Sequence, residues 1–504
     1  MKPIHILLFL ISVFLILFAV ALYFPETGVN LGNKLKLNFI TSDDIFRSDT
    51  VQYADISGII EQNEIISDSI ISALASEEND SSVMLVYDTI RANADSLKKT
   101  ITRIEFARKD TNILSGVFES LREIKDSGGI VRIMHYGDSQ IEGDRMTSLI
   151  RNRLQKRFGG YGVGLVPVSQ LYDFSFSILQ ETSENWYRYV QYGNRDTTIQ
   201  HSRYGPLASF CTFSPQPKKS EKANDTTTIT AWVSFRESPY SYQNTKAFSQ
   251  CRIFYGYNNE PFLNEVYLDG QLYDADIISP TKKLNVIKWK FDSPQNNLKL
   301  VFKGRTSPEV YGIALDPISG VVVDNIAMRG CPGVYYSTAD KANLKAMFKK
   351  LNVKLFLLQF GGNVVPNIVD DYGYYERWFY RQLISIKEVC PGAAIIVIGL
   401  SDMSVKEKGR YVTYPNLEKV RNALKKAAFR ADAGYWDMYK AMGGYNSMPS
   451  WVFANPPLAV KDFVHFNPRG AAIVSQMFYN AFIYEYDRYD NSLSRSQQKE
   501  TAVK

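Results

Sequence analysis

The strongest constraint on this 504-residue chain is the regular exchange of short apolar runs with amphipathic ones after residue 318. SGVVVDNIAM, KLFLLQF and AAIIVIGL read as fully buried strands. TADKANLKAMFKKL, YERWFYRQLISIKEV, NLEKVRNALKKAAFRA and PRGAAIVSQMFYNAFIYEY read as helices with one apolar face. Such alternation implies βαβ units and a parallel sheet covered on both sides. IVRIMHY (Ile130–Tyr136) is an earlier strand of the same kind, followed by the helical run EGDRMTSLIRNRLQKRF. Between these parts the text is β-like: TTTITAWVSF, CRIFYGY, NEVYLDGQLYDADI, NVIKWKF and NLKLVFKG, separated by Asn, Gly, Asp and Pro. The simplest architecture is one α/β domain, in parts 101–170 and 318–490, interrupted at 171–317 by a β-sandwich or jelly-roll module. Residues 26–100 read as a stalk or helical lead-in and 491–504 as a polar tail.

Residues 1–25 carry a different signal. From Ile4 to Phe24 there is no Asp, Glu, Lys or Arg. At about 1.5 Å per residue this run covers about 30 Å, the thickness of a bilayer's hydrocarbon core. It reads as an uncleaved transmembrane anchor; the competing reading is a cleaved signal peptide, with Ala19-Val20-Ala21 as the cleavage site. Composition narrows the function classes. A formal charge of +6, with no dense basic stripe, speaks against a nucleic-acid partner. Four scattered cysteines (Cys211, Cys251, Cys331, Cys390) and four histidines leave little material for a structural zinc site. Cys211 and Cys251 either pair or pack as small core residues, the second reading being preferred.

Four short motifs fall where strands end, the edge at which open α/β sheets place their sites. Gly137-Asp138-Ser139 follows the first strand, so Ser139 can expose its hydroxyl above the sheet; alternatively, Ser139-Gln140-Ile141-Glu142 is a helix capping box. Gly330, after the second strand, lets a substrate approach a bare backbone N–H. Gly361-Gly362-Asn363, after the third, is a tight turn whose Asn363 amide can aim at a developing oxyanion, or a plain Gly-rich turn. Asp462-Phe463-Val464-His465 precedes an Asn467-Pro468 helix start; its spacing brings the carboxylate to the imidazole, unless both are solvated surface groups. His5 lies in the apolar run, His135 in a strand and His201 in the β module, so His465 is the base that remains for Ser139.

The order Ser, Gly, Asn, Asp-x-x-His resembles the SGNH hydrolases, also called GDSL-like esterases, over about residues 130–165 and 318–485. The resemblance implies a flavodoxin-like three-layer domain with Ser139 as nucleophile, His465 as base and Asp462 as triad acid. It also implies an oxyanion hole from the Ser139 and Gly330 backbones and the Asn363 amide. Two positions depart from the pattern: GDSL reads GDSQ, and Val364 stands where the family often has an acid. A β insertion behind a membrane anchor looks like exported bacterial peptidoglycan O-acetylesterases. The function this implies is removal of O-acyl groups, above all O-acetyl, from peptidoglycan or another envelope polysaccharide, without metal or organic cofactor. The alternatives are a polysaccharide O-acyltransferase with the same triad and an inactive carbohydrate-binding protein. Trp186, Tyr187, Trp232, Tyr240 and Tyr242 are candidate sugar-stacking faces or sandwich core. Trp451, in the loop leading to Asp462, is a candidate substrate wall.

Overall fold

Apolar β-branched runs become the strands of a buried parallel sheet. In the computed structural model, which describes residues 3–25, 28–30, 36–37, 39–40, 51–61, 102–108, 112–172, 174–215 and 227–503, these are β1 (Ile130–Gly137), β2 (Gly320–Ala327), β3 (Val353–Gln359), β4 (Ala394–Ile398) and β5 (Gly434–Trp436). The sheet order is β2-β1-β3-β4-β5, all parallel, with Ile104–Glu105 added antiparallel at the β5 edge. This is the flavodoxin-like order, in which the crevice beside the first and third strands is the switch point that receives ligands. Helices α1 (Thr147–Phe158) and α5 (Pro468–Val503), with Ser115–Ser127, cover one face. Phe118, Phe158, Phe482 and Tyr486 interlock there, at ring separations of 4.9–5.6 Å. The opposite face is covered by α2 (Lys341–Leu351), α3 (Gly373–Val389) and α4 (Leu417–Arg430). In α3 the apolar spacing places Tyr375, Phe379, Leu383 and Ile386 on one buried side. The Asp340 side chain caps α2 by accepting from Asn343 N at 2.9 Å. The chain thus has the three-layer α/β domain expected from its pattern.

The module between α1 and β2 consists of two antiparallel sheets. One runs Thr281–Gln295, Phe248–Asn258, Glu309–Asp316, Ser209–Thr212, Tyr187–Val190, with Gly164–Val166 also on Glu309–Asp316. The other runs Gln271–Ile278, Phe262–Leu268, Asn297–Gly304, Ile229–Glu237, Ile178–Thr182. Period-two alternation turns Ala231, Val233 and Phe235 into a shared core with Cys251, Ile253 and Phe302. The module therefore begins before residue 171: its first strand is Gly164–Val166. Its ends meet, since Val321 N donates to Gly159 O at 2.9 Å. Buried charges fasten it to the sheet. Arg132 of β1 binds Asp316 at the module's exit (2.6 Å) and Asp324 of β2, while Asp324 also accepts from Leu165 N (2.7 Å).

Two other expectations change in detail, and a third is not tested. The tail at 491–504 is not separate, because α5 runs on to Val503. The loop before Asp462 contains a helix, Ser447–Phe453. Most of the 26–100 lead-in lies outside the described residues. All four cysteines are free, and Cys211 and Cys251 are buried.

By contact pattern the chain forms two units, Met1–Tyr53 with Val405–Val412, and Ala54–Ser404 with Thr413–Lys504. The first carries the helix Pro3–Tyr23, whose mean hydropathy of 3.0 and length suffice to cross a membrane. The second carries everything described above and the site below.

Candidate active site

Strand register sets the site. Gly137 of β1 pairs with Ala327 of β2 and Gln359 of β3, so three strands end level and their loops share one edge. Gly137 keeps that approach close: a Cβ would come within 2.9 Å of the Ile141 side chain and 3.1 Å of Gln359 O. The Asp138 side chain accepts from Gln140 N at 3.0 Å and caps a 3₁₀ turn, Ser139–Asp144. The capping-box alternative is not formed, since Glu142 leaves helical geometry (φ −57°, ψ 146°) and pairs with Arg329 instead.

Ser139 Oγ lies 2.8 Å from His465 Nε2, and His465 Nδ1 lies 2.7 Å from Asp462 Oδ2. These two contacts join positions 326 residues apart in sequence. The Asp-x-x-His segment is a tight turn. Asp462 Oδ1 accepts from Val464 N (2.9 Å) and His465 N (3.0 Å), and Val460 N donates to His465 O at 2.8 Å. Phe463 takes φ 59°, a conformation costing about 1–3 kcal/mol in a bulky residue unless its surroundings fix it. Its buried ring packs on Phe453 at 5.6 Å, and its carbonyl accepts from Ser404 N at 3.0 Å. Asn467 then starts α5, accepting from Gly470 N at 3.1 Å.

Burial alone would push the Asp462 carboxyl up. The backbone N–H groups of His465 and Val464 and the imidazole outweigh burial and hold it below its ordinary range. An ionised Asp462 on Nδ1 fixes the tautomer that leaves Nε2 free to take a proton. Asp138 is different. Burial pushes its carboxyl up to about 6, against the opposing pull of Gln140 N–H, His465 and Gly362 N–H. Sitting under both the Ser139 turn and the Gly362 turn, with its own N–H on Gln359 O (3.2 Å), Asp138 ties the first motif to the third. In the sequence its one signal is its type and place, a capping-type residue directly before Ser139.

Gly330 is the third residue of a turn closed by Cys331 N on Met328 O (3.0 Å), with φ 76° and open space where a Cβ would stand. That sign of φ suits glycine, and the open side leaves its backbone accessible. Asn363, exposed in the 3₁₀ turn Gly362–Val364, points its amide to Cys331 O at 3.4 Å, which joins the second and third motifs. Cys331 is buried; its sulfur accepts from Gly333 N at 3.4 Å, and burial pushes the thiol up to about 11, which fits packing and turn closure. The other histidines of this unit are committed elsewhere. His135 is buried between Thr147 Oγ1 (2.8 Å) and Gln359 Oε1 (3.2 Å), and burial lowers it to about 4. His201 pairs with Glu309 at 3.0 Å.

Trp451 is not a substrate wall. It is 0% exposed, donates Nε1–H to Met442 O (2.8 Å) and packs on Phe466 at 5.1 Å, beneath the His465 turn. A tryptophan whose indole N–H finds an internal carbonyl gains more by burial than by facing water. On the same helix it is Phe453 that is exposed. Of the module's aromatics, Trp186 is core, Trp232 lies under Lys299, and Tyr187 and Tyr240 are exposed.

The arrangement can deliver a serine oxygen to a carbonyl, take up its proton and hold the resulting imidazolium. No protein-family model matches the sequence, and a search among curated proteins finds no match. Among solved structures, a peptidoglycan O-acetylesterase is similar at a TM-score of 0.57 and 18% identity, over 76% of this chain and 99% of that one. A salicylyl-acyltransferase from a tetracycline biosynthetic pathway follows at 0.24 and 12%, over 49% and 80%. A family two carbohydrate esterase from Clostridium thermocellum gives 0.22 and 9%, over 52% and 93%. Of the three scores, the first alone is in the range of a shared fold.

Proposed function

From the SGNH/GDSL esterase fold as premise, we propose that this chain is a serine esterase that removes O-acyl groups, O-acetyl foremost, from an exported glycan. The observation that carries this reading is the continuous chain Ser139 Oγ, His465 Nε2, His465 Nδ1, Asp462 Oδ2, with contacts of 2.8 and 2.7 Å. The fold neighbour named as a peptidoglycan O-acetylesterase supports peptidoglycan or a related envelope polysaccharide as substrate. The N-terminal apolar helix supports a single-pass anchor, and the peptidoglycan named for the fold neighbour supports a catalytic unit in the periplasm or outside the cell.

Ser139 Oγ bonds to the acyl carbonyl carbon while its proton moves to His465 Nε2. The carbonyl oxygen becomes an oxyanion held by the Ser139 and Gly330 N–H groups and the Asn363 amide. The bond from carbon to the glycan oxygen breaks, and His465 returns the proton to that oxygen. Water then adds to the acyl-serine, its proton passing through His465, and the carboxylic acid leaves with Ser139 restored. Asp462 stays ionised throughout.

The test uses the full-length chain in detergent, an aryl acetate, and O-acetylated peptidoglycan. Free acetate from both, lost in Ser139→Ala and His465→Ala, supports the reading. Wild-type turnover in Ser139→Ala overturns it, and acetyl arriving on a glycan hydroxyl instead of in solution reassigns the chain as an acyltransferase.

A further inference from the structure

The residue after the nucleophile breaks the motif: Gln140 stands where the GDSL pattern has an apolar leucine. Its side chain is buried, 6% exposed, and does what no leucine can. Nε2 donates to Val464 O at 2.6 Å and to Ser401 Oγ at 3.1 Å, while Oε1 accepts from Phe466 N at 3.4 Å. Val464 and Phe466 flank His465. The amide orientation is fixed twice over, because a carbonyl can only accept and a backbone N–H can only donate.

The geometry points to Gln140 as a positioning residue that sets the distance between nucleophile and base by gripping the peptide on both sides of His465. This inference rests on the esterase reading above. Besides the bonds from Ser404 N to Phe463 O (3.0 Å) and from Arg145 Nη1 to Phe466 O (3.4 Å), two side chains grip the peptide around His465 itself. Asp462 holds it from within, through Val464 N, His465 N and the ring. Gln140 holds it from without, and Gln140 N is itself anchored on Asp138 Oδ1 at 3.0 Å. Asp138 capping therefore places Ser139 and the Gln140 amide together, and the amide places His465. Ser401, in the loop after β4, completes the grip from a third element. A turn carrying a strained Phe463 and a partly exposed His465 needs such an external hold, since a displacement of about 1 Å at the reacting atoms can cost about 10²-fold in rate.

The experiment compares full-length wild type with Gln140→Leu and Gln140→Glu on an aryl acetate, with rates normalised to the folded fraction. Leucine removes all three contacts at similar size. Glutamate keeps the reach but has no N–H for Val464 O once ionised. Both are expected to lower kcat about 10²-fold, with KM changed less than twofold. Acting through His465, the Gln140→Leu substitution is expected to cost nothing further in the His465→Ala background. Three results overturn the proposal: wild-type kcat in Gln140→Leu, an equal loss in the presence and absence of His465, or a loss that vanishes on normalising to folded protein. If Ser139→Ala and His465→Ala retain activity, the esterase reading itself has failed; if they lose it while the Gln140 variants do not, this proposal alone has failed.

Discussion

Replacing Arg132 with methionine tests how the β module is joined to the sheet. Arg132 is fully buried, with Asp316 and Asp324 also at 0% side-chain exposure. Methionine fills much of the same space but leaves both carboxylates without their shared partner. Asp316 keeps Arg252 at 2.8 Å and Asp324 keeps Leu165 N at 2.7 Å, so the loss is partial. Breaking a buried pair costs about 3–5 kcal/mol. If the larger unit unfolds cooperatively, about 2.1 cal/mol/K per residue over its roughly 440 residues gives about 0.9 kcal/mol/K. The expected fall in Tm is then about 3–5 °C. The sign with pH follows from linkage. Burial already holds the Asp324 carboxyl up at about 6 against the opposing pull of Arg132, and losing Arg132 raises it further. The variant's folded state then binds more protons than the wild type's, so its deficit grows as pH rises above about 6. Calorimetry or thermal circular dichroism at pH 5 and pH 8 reads both effects. Arg132→Met with Asp316→Leu and Asp324→Leu should regain much of the loss. A single variant with wild-type Tm at both pH values would refute the reasoning.

Four shorter tests concern the site. Asn363→Ala should lower kcat on an aryl acetate about 10²–10³-fold with folding unchanged. Asp462→Asn should lower kcat by up to about 10⁴-fold, by presenting the wrong imidazole tautomer, with KM little affected. Asp138, which burial brings to about 6, binds its proton more tightly folded than unfolded, so its contribution to stability falls as pH rises from about 4 to about 6; Asp138→Asn should lack that fall in thermal denaturation, and a wild-type pH slope would contradict the reasoning. Trp451→Ala should destabilise the protein by about 3–5 kcal/mol in denaturant titration; a raised KM for polymeric glycan with unchanged stability would instead restore Trp451 as a substrate contact.

Much of the fold was legible because the buried strands of a parallel sheet are apolar throughout, as in Val321–Val323 and Leu355–Leu358. Gly434–Trp436 escaped notice because three residues carry no period, and the helix Ser447–Phe453 was hidden by Pro449. The module's start escaped too: Gly164–Val166 belongs to it by pairing with Ile313–Leu315, a long-range contact without local signal. For the site, spacing alone suggested that Asp462 could reach His465, since four residues make one turn. What brings His465 to Ser139 was not readable in that way; it depends on strand register and on side chains such as Gln140, whose type departs from the expected one. Trp451 was misplaced for a general reason. Aromatic type marks a residue with much surface to bury, and only tertiary structure says which side of a turn receives it.

The insertion has a consequence for synthesis on the ribosome. β1 is interior to its sheet, and both neighbours, β2 and β3, are encoded after the module. At about 5–20 residues per second, the strand leading to Ser139 waits some ten seconds or longer for its first partner, with two open hydrogen-bonding edges. A module that folds first draws its own ends together at Gly159 and Val321, and so delivers β2 alongside β1 as soon as it is made. Folding of the module ahead of the sheet would in this way set the register of β2 on β1 from Gly320–Ile130 onward.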